Sequence, residues 1–314
     1  MIPRKAHFVW FGQRFPWVYV LAVRSAAMRG GFDEVLLHHA DRIDPGAELA
    51  ELRSTPCVTL RKLDPRGLLE GLGPDGRALA ALYQELKAPA ARANVIRPAL
   101  LAREGGVYLD TDTITLGSFA PLLDAGVFCG AEHIALPGWL MRSRRPLPWL
   151  RAGAQLLARD LCRRAPHGWR AFRKIERFYP ACVNNAVLGA RPNHPFILDL
   201  LGRMMALPPR RHLARYALGT HSLQDAVAQY QGRDLIVHPP RRFYPLPPEI
   251  SEHWFRSAPP AVLSEILSPD TVVVHWYASV RTAKIVPAID RDYIRRHAGR
   301  QLFSALTLPL LTKG

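Results

Sequence analysis

The stretch from Arg103 to Leu116, REGGVYLDTDTITL, decides how the chain is read. Gly105 and Gly106 end whatever precedes them, Val107 to Leu109 form a short apolar strand, and Thr111 sits in a turn between Asp110 and Asp112. Both carboxylates therefore lie at a strand exit. In an open α/β sheet that is where ligands bind, because loops there leave a crevice that helices do not cover. Two ionised carboxylates about 4 Å apart repel by about 4 kcal/mol at an effective dielectric of about 20. A hard divalent cation with oxygen ligands relieves that repulsion. If the cation also grips a diphosphate, it neutralises charge on the leaving group as a sugar–diphosphate bond breaks. The same spacing equally suits a turn whose aspartates accept backbone N–H bonds and cap the next element.

Working outward, Ala78 to Arg103 is built of helix formers punctuated by Pro89 and Pro98, which predicts two helical pieces or a kink. Upstream, HFVWF and EVLLHH read as buried strands, WVYVLAVRSAAMRG between them has helical spacing, and CVTLRKL is a third strand. Strand, helix, strand implies a parallel α/β sheet. A Gly-X-Gly-X-X-Gly occurs at Gly71 to Gly76, but Pro74 interrupts it and no strand feeds it, so it reads as a loop and not a dinucleotide site. Downstream, ALPPRRH and HPPRRFYPLPPE are proline-stiffened connections, and TVVVHW is a further buried strand ending at His275 and Trp276.

The 314 residues suffice for one large domain with a sizeable core, and 48% hydrophobic with 9% aromatic residues is ordinary globular usage. Four cysteines without Cys-X-X-Cys or metal-finger spacing read as reduced, partly buried thiols, which fits the cytosol. The apolar runs are far short of a membrane span, and the N-terminus lacks a signal-peptide core. A net charge of +16 favours an anionic partner, whether nucleic acid, acidic lipid or a phosphorylated small molecule.

Four blocks, IPRKAHFVWFG, AARANVIRPALLAREGGVYLDTDTI, NNAVLGARPNHPFI and VVVHWYAS, stand in order across residues 2 to 280. Their order and separations resemble the Asp-X-Asp sugar-binding glycosyltransferases of family 32, whose catalytic fold is similar to that of the large clostridial glucosylating toxins. The resemblance implies a GT-A fold, a Rossmann-like mixed, mostly parallel sheet flanked by helices, over residues 1–290. It also implies a UDP- or GDP-sugar donor, Mn²⁺ or Mg²⁺, a glycan, glycolipid or lipid-linked acceptor, and transfer with retention of configuration. By position, Asp110 would touch the donor ribose or a metal-bound water, Asp112 would bind the metal, and His275 would be a further metal ligand or diphosphate contact. Trp10 matches an aromatic that stacks on the nucleobase, and Arg97 a basic residue beside the donor sugar and phosphates. Tyr108, Asn94 and Ser279 fall at donor-binding positions. Asn184 and Asn185 fall near the sugar, where an amide would steady charge at the anomeric carbon. No Asp or Glu stands out as a base, and none is required if the leaving diphosphate accepts the acceptor's proton.

Some positions depart from that pattern. The family usually has Ser-Asp where this chain has Ala93 and Asn94, so a carboxylate that holds the sugar is an amide here. His221 lies in a segment where the family has Thr-Gly-Pro, and Val280 stands where a tryptophan often follows the serine. These changes suggest altered or weakened activity and keep a catalytically silent, sugar-nucleotide-binding relative as an alternative. Taken singly, Trp10 also reads as core, His275 as a bonded interior histidine, Arg97 as a solvated charge, and the two asparagines as turn amides.

Between the blocks, residues 139–178 form a predicted helical insertion with eleven basic and two acidic residues, in which Trp139, Trp149 and Trp169 are interleaved with arginines. It reads either as a solvated helical face or as a peripheral dock on anionic lipid at the inner face of a membrane, or on a polyisoprenyl-phosphate acceptor. Residues 291–314 are an amphipathic tail or a packed terminal helix. Nucleic-acid binding is disfavoured, because no RNA or DNA module accompanies the charge.

Overall fold

The computed structural model describes residues 1–214, 216–280 and 282–311. A seven-stranded sheet is built from β1 (Lys5–Trp10), β2 (Glu34–His39), β3 (Val58–Lys62), β4 (Gly106–Leu109), β6 (Val127–His133), β7 (Ala181–Ala190) and β8 (Leu235–His238), in the spatial order β3-β2-β1-β4-β7-β6-β8. All run parallel except β7, which is antiparallel to both β4 and β6. A separate two-stranded ribbon pairs β5 (Thr113–Thr115) antiparallel with β9 (Val273–His275).

Strand alternation divides the core into layers. Val107 and Leu109 pack into the layer with Phe8, Val35, Leu37 and Val187, whereas Tyr108 and Leu188 face the layer formed with the helices Pro89–Glu104 and Pro195–Ala206. The helix Trp17–Arg29 joins β1 to β2, is buried along one long run from Val20 to Ala26, and has no charged residue there except Arg24.

Pro89 opens the helix Pro89–Glu104 at its first turn, where a missing N–H is harmless. Pro98 lies inside one continuous sixteen-residue helix, and the preceding piece is the separate helix Gly76–Glu85. The predicted loop at Gly71 to Asp75 connects two helices, with no strand leading into it. Gly105 and Gly106 have φ of 64° and 100°, and a Cβ on Gly106 would lie 2.6 Å from the Lys5 carbonyl oxygen. Only glycine lets the chain turn straight from that helix into a strand beside β1.

At this corner two buried histidines are linked. His38 Nε2–H donates to His7 Nδ1 at 2.9 Å, and His7 Nε2–H donates to the Gly105 carbonyl at 2.8 Å.

Residues 139–178 contain the long helix Pro146–Arg164 and the short helix Trp169–Ile175. Beyond residue 290, the helices Arg291–His297 and Leu302–Thr307 pack Ile294, Phe303 and Leu306 into a third cluster with Trp254 and Trp276. Residues 312–314 of the predicted tail lie outside the described residues. Cys57 is exposed and the other three cysteines are buried, all four free. Among the described residues no helix is long and apolar enough to cross a membrane.

Candidate active site

Asp110 leaves β4 with its backbone N–H bonded to the Ala186 carbonyl of β7 at 2.9 Å. The predicted turn is tighter than expected. Thr113 closes it by donating both its N–H, at 3.1 Å, and its hydroxyl, at 2.7 Å, to the Asp110 carbonyl, and the chain re-enters extended structure at once as β5. The strand predicted at TVVVHW therefore pairs with β5 and not with the main sheet. Its register sets Thr113 opposite His275 and so carries His275 onto Asp112.

His275 Nε2 lies 3.0 Å from Asp112 Oδ1, and the Ala278 N–H donates to Asp112 Oδ2 at 2.8 Å. The Asp112 carboxyl is held below the usual range: burial alone would raise it, and His275 with the Ala278 N–H outweighs burial. His275 is shifted up for the reciprocal reason, the attraction of Asp112 exceeding the effect of burial.

Asp110 has a different environment. Arg97 Nη2 donates to Asp110 Oδ1 at 2.9 Å, and the Tyr108 hydroxyl donates to the same oxygen at 2.9 Å. The Arg97 guanidinium also donates to the Asn185 carbonyl and lies 4.5 Å from the Tyr108 ring centre. At 5% exposure Arg97 is not a solvated charge; its helix points it into the sheet, where this set of acceptors compensates it. Burial raises the Asp110 carboxyl above its ordinary value, with Arg97 pulling it back and Asp112 pushing it further.

One ligand atom each from Asp110, Asp112 and His275 lie within 4.8 Å of one another, and His275 Nδ1 is buried without a hydrogen-bond partner. Two carboxylates and an imidazole suit a divalent cation of the Mn²⁺ or Mg²⁺ kind, so the residues present fit the metal that the motif implies.

Around this centre the other predicted residues divide. Asn185 Nδ2 donates to Asn94 Oδ1 at 2.9 Å, and a Cβ on Gly219 would come within 2.9 to 3.0 Å of both amides. Asn94, Asn185 and the Gly219 segment thus form one polar wall. Neither asparagine of β7 is a turn amide: Asn184 and Asn185 lie mid-strand, where the pairing with β6 shifts register between Cys129 and Gly130. Asn184 Oδ1 accepts from the Ala186 N–H at 2.7 Å. Trp10 is half-buried at the end of β1, stacked edge-on against Phe15 with ring centres 5.0 Å apart, and its Nε1–H donates to the Arg14 carbonyl. Ser279 is exposed in the turn after Ala278, and Val280 packs against the core. His221, two residues after Gly219, packs against Gly138.

Two residues escaped the sequence reading. Tyr277 has φ of 57°, a left-handed conformation that is rare for a bulky side chain, and it lies between His275 and Ala278, whose N–H donates to Asp112. Its hydroxyl donates to Glu132 Oε2 at 2.8 Å. Glu132 is 5% exposed on β6, is raised by burial, and is also bonded to Asn184. A glutamate inside the apolar strand VFCGAEH was the available signal; its partner, 145 residues away, was not readable.

A mostly parallel, Rossmann-like sheet with one reversed strand thus carries an Asp-X-Asp turn at the exit of its central β4. Residues 38–128 match the family described as the glycosyltransferase sugar-binding region containing the DXD motif. That segment runs from the end of β2 into β6 and holds Asn94, Arg97, Tyr108, Asp110 and Asp112. Among solved structures, the chain is similar to the PaToxG glycosyltransferase, at 16% identity over 73% of this chain and 69% of that one, with a TM-score of 0.48. It is similar to mouse xyloside xylosyltransferase 1 at 13% identity over 88% and 98%, with a TM-score of 0.45. It is also similar to the UDP-bound glycosyltransferase domain from the YGT toxin at 11% identity over 65% and 61%, with a TM-score of 0.37. No curated protein sequence matches the chain.

Proposed function

We propose that the protein is a divalent-metal-dependent glycosyltransferase that moves a sugar from a nucleotide-sugar donor to a glycan, glycolipid or lipid-linked acceptor with retention of configuration. The observation that carries this reading is the convergence of Asp110, Asp112 and His275, from two distant segments, at the mouth of β4. A bound Mn²⁺ or Mg²⁺ would supply charge neutralisation at the leaving diphosphate.

The chain's own residues prepare that place. Asp112 and His275 would hold the metal, with the Ala278 N–H fixing the Asp112 carboxylate. Asp110 would share the cation or hold the donor ribose, and Arg97 and Tyr108 fix its orientation, so these two act as positioning groups before they act on donor. Asn94, Asn184 and Asn185 lie on the sugar side, Trp10 stacks on the base, and Ser279 meets the phosphates from the exposed turn. Glu132, occupied by Tyr277 and Asn184, holds the His275–Ala278 segment and is not a free base.

The test incubates the full chain with a panel of UDP- and GDP-sugars, with Mn²⁺ or with EDTA, and follows nucleotide release and thermal stability. Metal-dependent release and stabilisation are expected. Stabilisation without release would instead favour the silent relative, to which the amide at Asn94 points. Indifference to every nucleotide would remove the reading.

A further inference from the structure

The helix Pro146–Arg164 turns its charged side inward. Arg159 Nη1 bonds to Glu249 Oε2 at 3.0 Å, Arg163 pairs with Glu252, and Ala152, Gln155 and Cys162 are buried on the same side. The outward side carries Leu147, Leu150, Leu157 and Leu161, which are 74, 71, 70 and 70% exposed. With the exposed Ala154 they follow the three-and-four spacing of one helix face, within an arc of about 80° at 3.6 residues per turn. Single exposed leucines need no explanation; four in register on one helix do.

The surroundings extend the stripe. Trp139, Met141 and Phe178 are about half exposed or more, and Trp149 is 40% exposed. A groove of about 400 Å³ opens beside them, lined by Trp139, Leu140, Leu147, Arg151, Gln155 and Tyr179. Arg144, Arg145 and Arg164 are exposed and in no ion pair among the described residues, while Asp160, an acidic residue on this helix, is already held by Arg159 and Arg163.

We infer that this face, with its groove, seats the protein on the surface of an anionic phospholipid bilayer. Charge decides between occupants. Two copies of the chain apposed along the stripe would bring their arginines together without free carboxylates to meet them. Anionic headgroups supply that complement, acyl chains cover the leucines, and half-exposed tryptophans suit the boundary between the two. The seat adjoins the acidic site: Gly138, just before Trp139, packs on His221, and Gly219 packs on Asn94 and Asn185. A membrane-borne acceptor would thus be presented to the polar wall; that consequence rests on the transferase reading, whereas the docking does not.

The experiment uses the full chain with phosphatidylcholine vesicles, with and without phosphatidylglycerol, read by co-sedimentation and by quenching of tryptophan fluorescence with brominated acyl chains. Salt-sensitive binding to the anionic vesicles alone is expected, with quenching that disappears in a Trp139→Phe/Trp149→Phe variant. A Leu150→Glu/Leu157→Glu variant should bind about tenfold or more weakly while its melting temperature and nucleotide release stay unchanged. Absence of binding to anionic vesicles overturns the inference, as does binding without acyl quenching that the glutamates leave intact. A wild-type dimer that the double variant converts to monomer also overturns it, because the stripe is then a subunit interface.

Discussion

The mouth of β4 and the outer face of the helix Pro146–Arg164 invert ordinary burial in opposite senses. At the first, charged side chains are taken out of water and compensated contact by contact: Arg97 by Asp110 and the Asn185 carbonyl, Asp112 by His275 and the Ala278 N–H. At the second, leucines are left in water with no protein surface over them. Buried polar groups and exposed apolar ones are the placements that folding alone does not select, so each marks where the molecule meets something else. The difference lies in what each site loses by change. A buried, compensated group is expensive to remove, whereas an exposed leucine contributes little to the fold.

The largest expected effect is on turnover. Asp112→Asn keeps one oxygen for the Ala278 N–H but loses the charge that holds a cation, so metal-dependent nucleotide release should fall by about a hundredfold or more, with a stability loss of about 1 kcal/mol. Wild-type release in that variant would remove Asp112 from the metal site and leave the β4 mouth a structural cap. Arg97→Ala should act mainly on the fold. It leaves Asp110 partly buried without its cation, and breaking such a pair costs about 3 to 5 kcal/mol, measurable as a lowered urea midpoint. Glu132→Gln is milder, because an amide still accepts from Tyr277. It should lower the apparent affinity for Mn²⁺ by about tenfold with maximal release rate largely kept, a split that simple destabilisation would not produce.

What the sequence disclosed follows the same division. The strands HFVWF and EVLLHH, the Gly105–Gly106 break and the Asp110–Asp112 exit were all legible, because each is specified by neighbours within a few residues. His275 was named, but the reason it reaches Asp112 was not: it depends on β5 existing as a three-residue strand, too short to give a periodic signal. Arg97 was named beside the donor only through the resemblance; taken singly it reads as a solvated charge, because helical spacing does not tell a reader which acceptors lie beneath. The break in β7 beside Asn184 and Asn185 was hidden for a similar reason, since a register shift is a property of two strands and not of one. The outward leucines were missed because their spacing is that of any amphipathic helix; only the ion pairs to Glu249 and Glu252 reveal which side faces in.

A second buried polar pair provides an intermediate case. His7 and His38 are displaced by burial to about 4 and about 3, with Lys5 and Arg61 adding to the shift and Glu104 opposing it. Both stay neutral in the folded chain, while in the unfolded chain each takes up a proton below its ordinary value of 6.5. The unfolded state therefore binds more protons as pH falls from about 6.5 towards 4, and stability should drop by a few kcal/mol across that window. Glu104, whose carboxyl is lowered by Arg61 and Lys5 against the opposing effect of burial, adds a loss only below its ordinary 4.5. Denaturant melts of wild type and His38→Gln at several pH values separate the histidines from Glu104, since the variant should lessen the loss in the upper part of the window, where His7 still contributes, and leave the lower part.

The smallest effect is the one that isolates the exposed face. Leu157→Glu removes no packed contact, and a glutamate within the helix has good helix propensity, so global stability should change by less than about 0.5 kcal/mol. Leu101→Ala, inside the sheet-facing side of the helix Pro89–Glu104, should cost about 2 to 5 kcal/mol for a side chain that is 0% exposed. If urea unfolding instead showed Leu157→Glu losing as much as Leu101→Ala, the leucine would be covered in the folded protein in solution. Its stripe would then belong with the compensated interior, and the contrast between the two regions would fail at its weaker member.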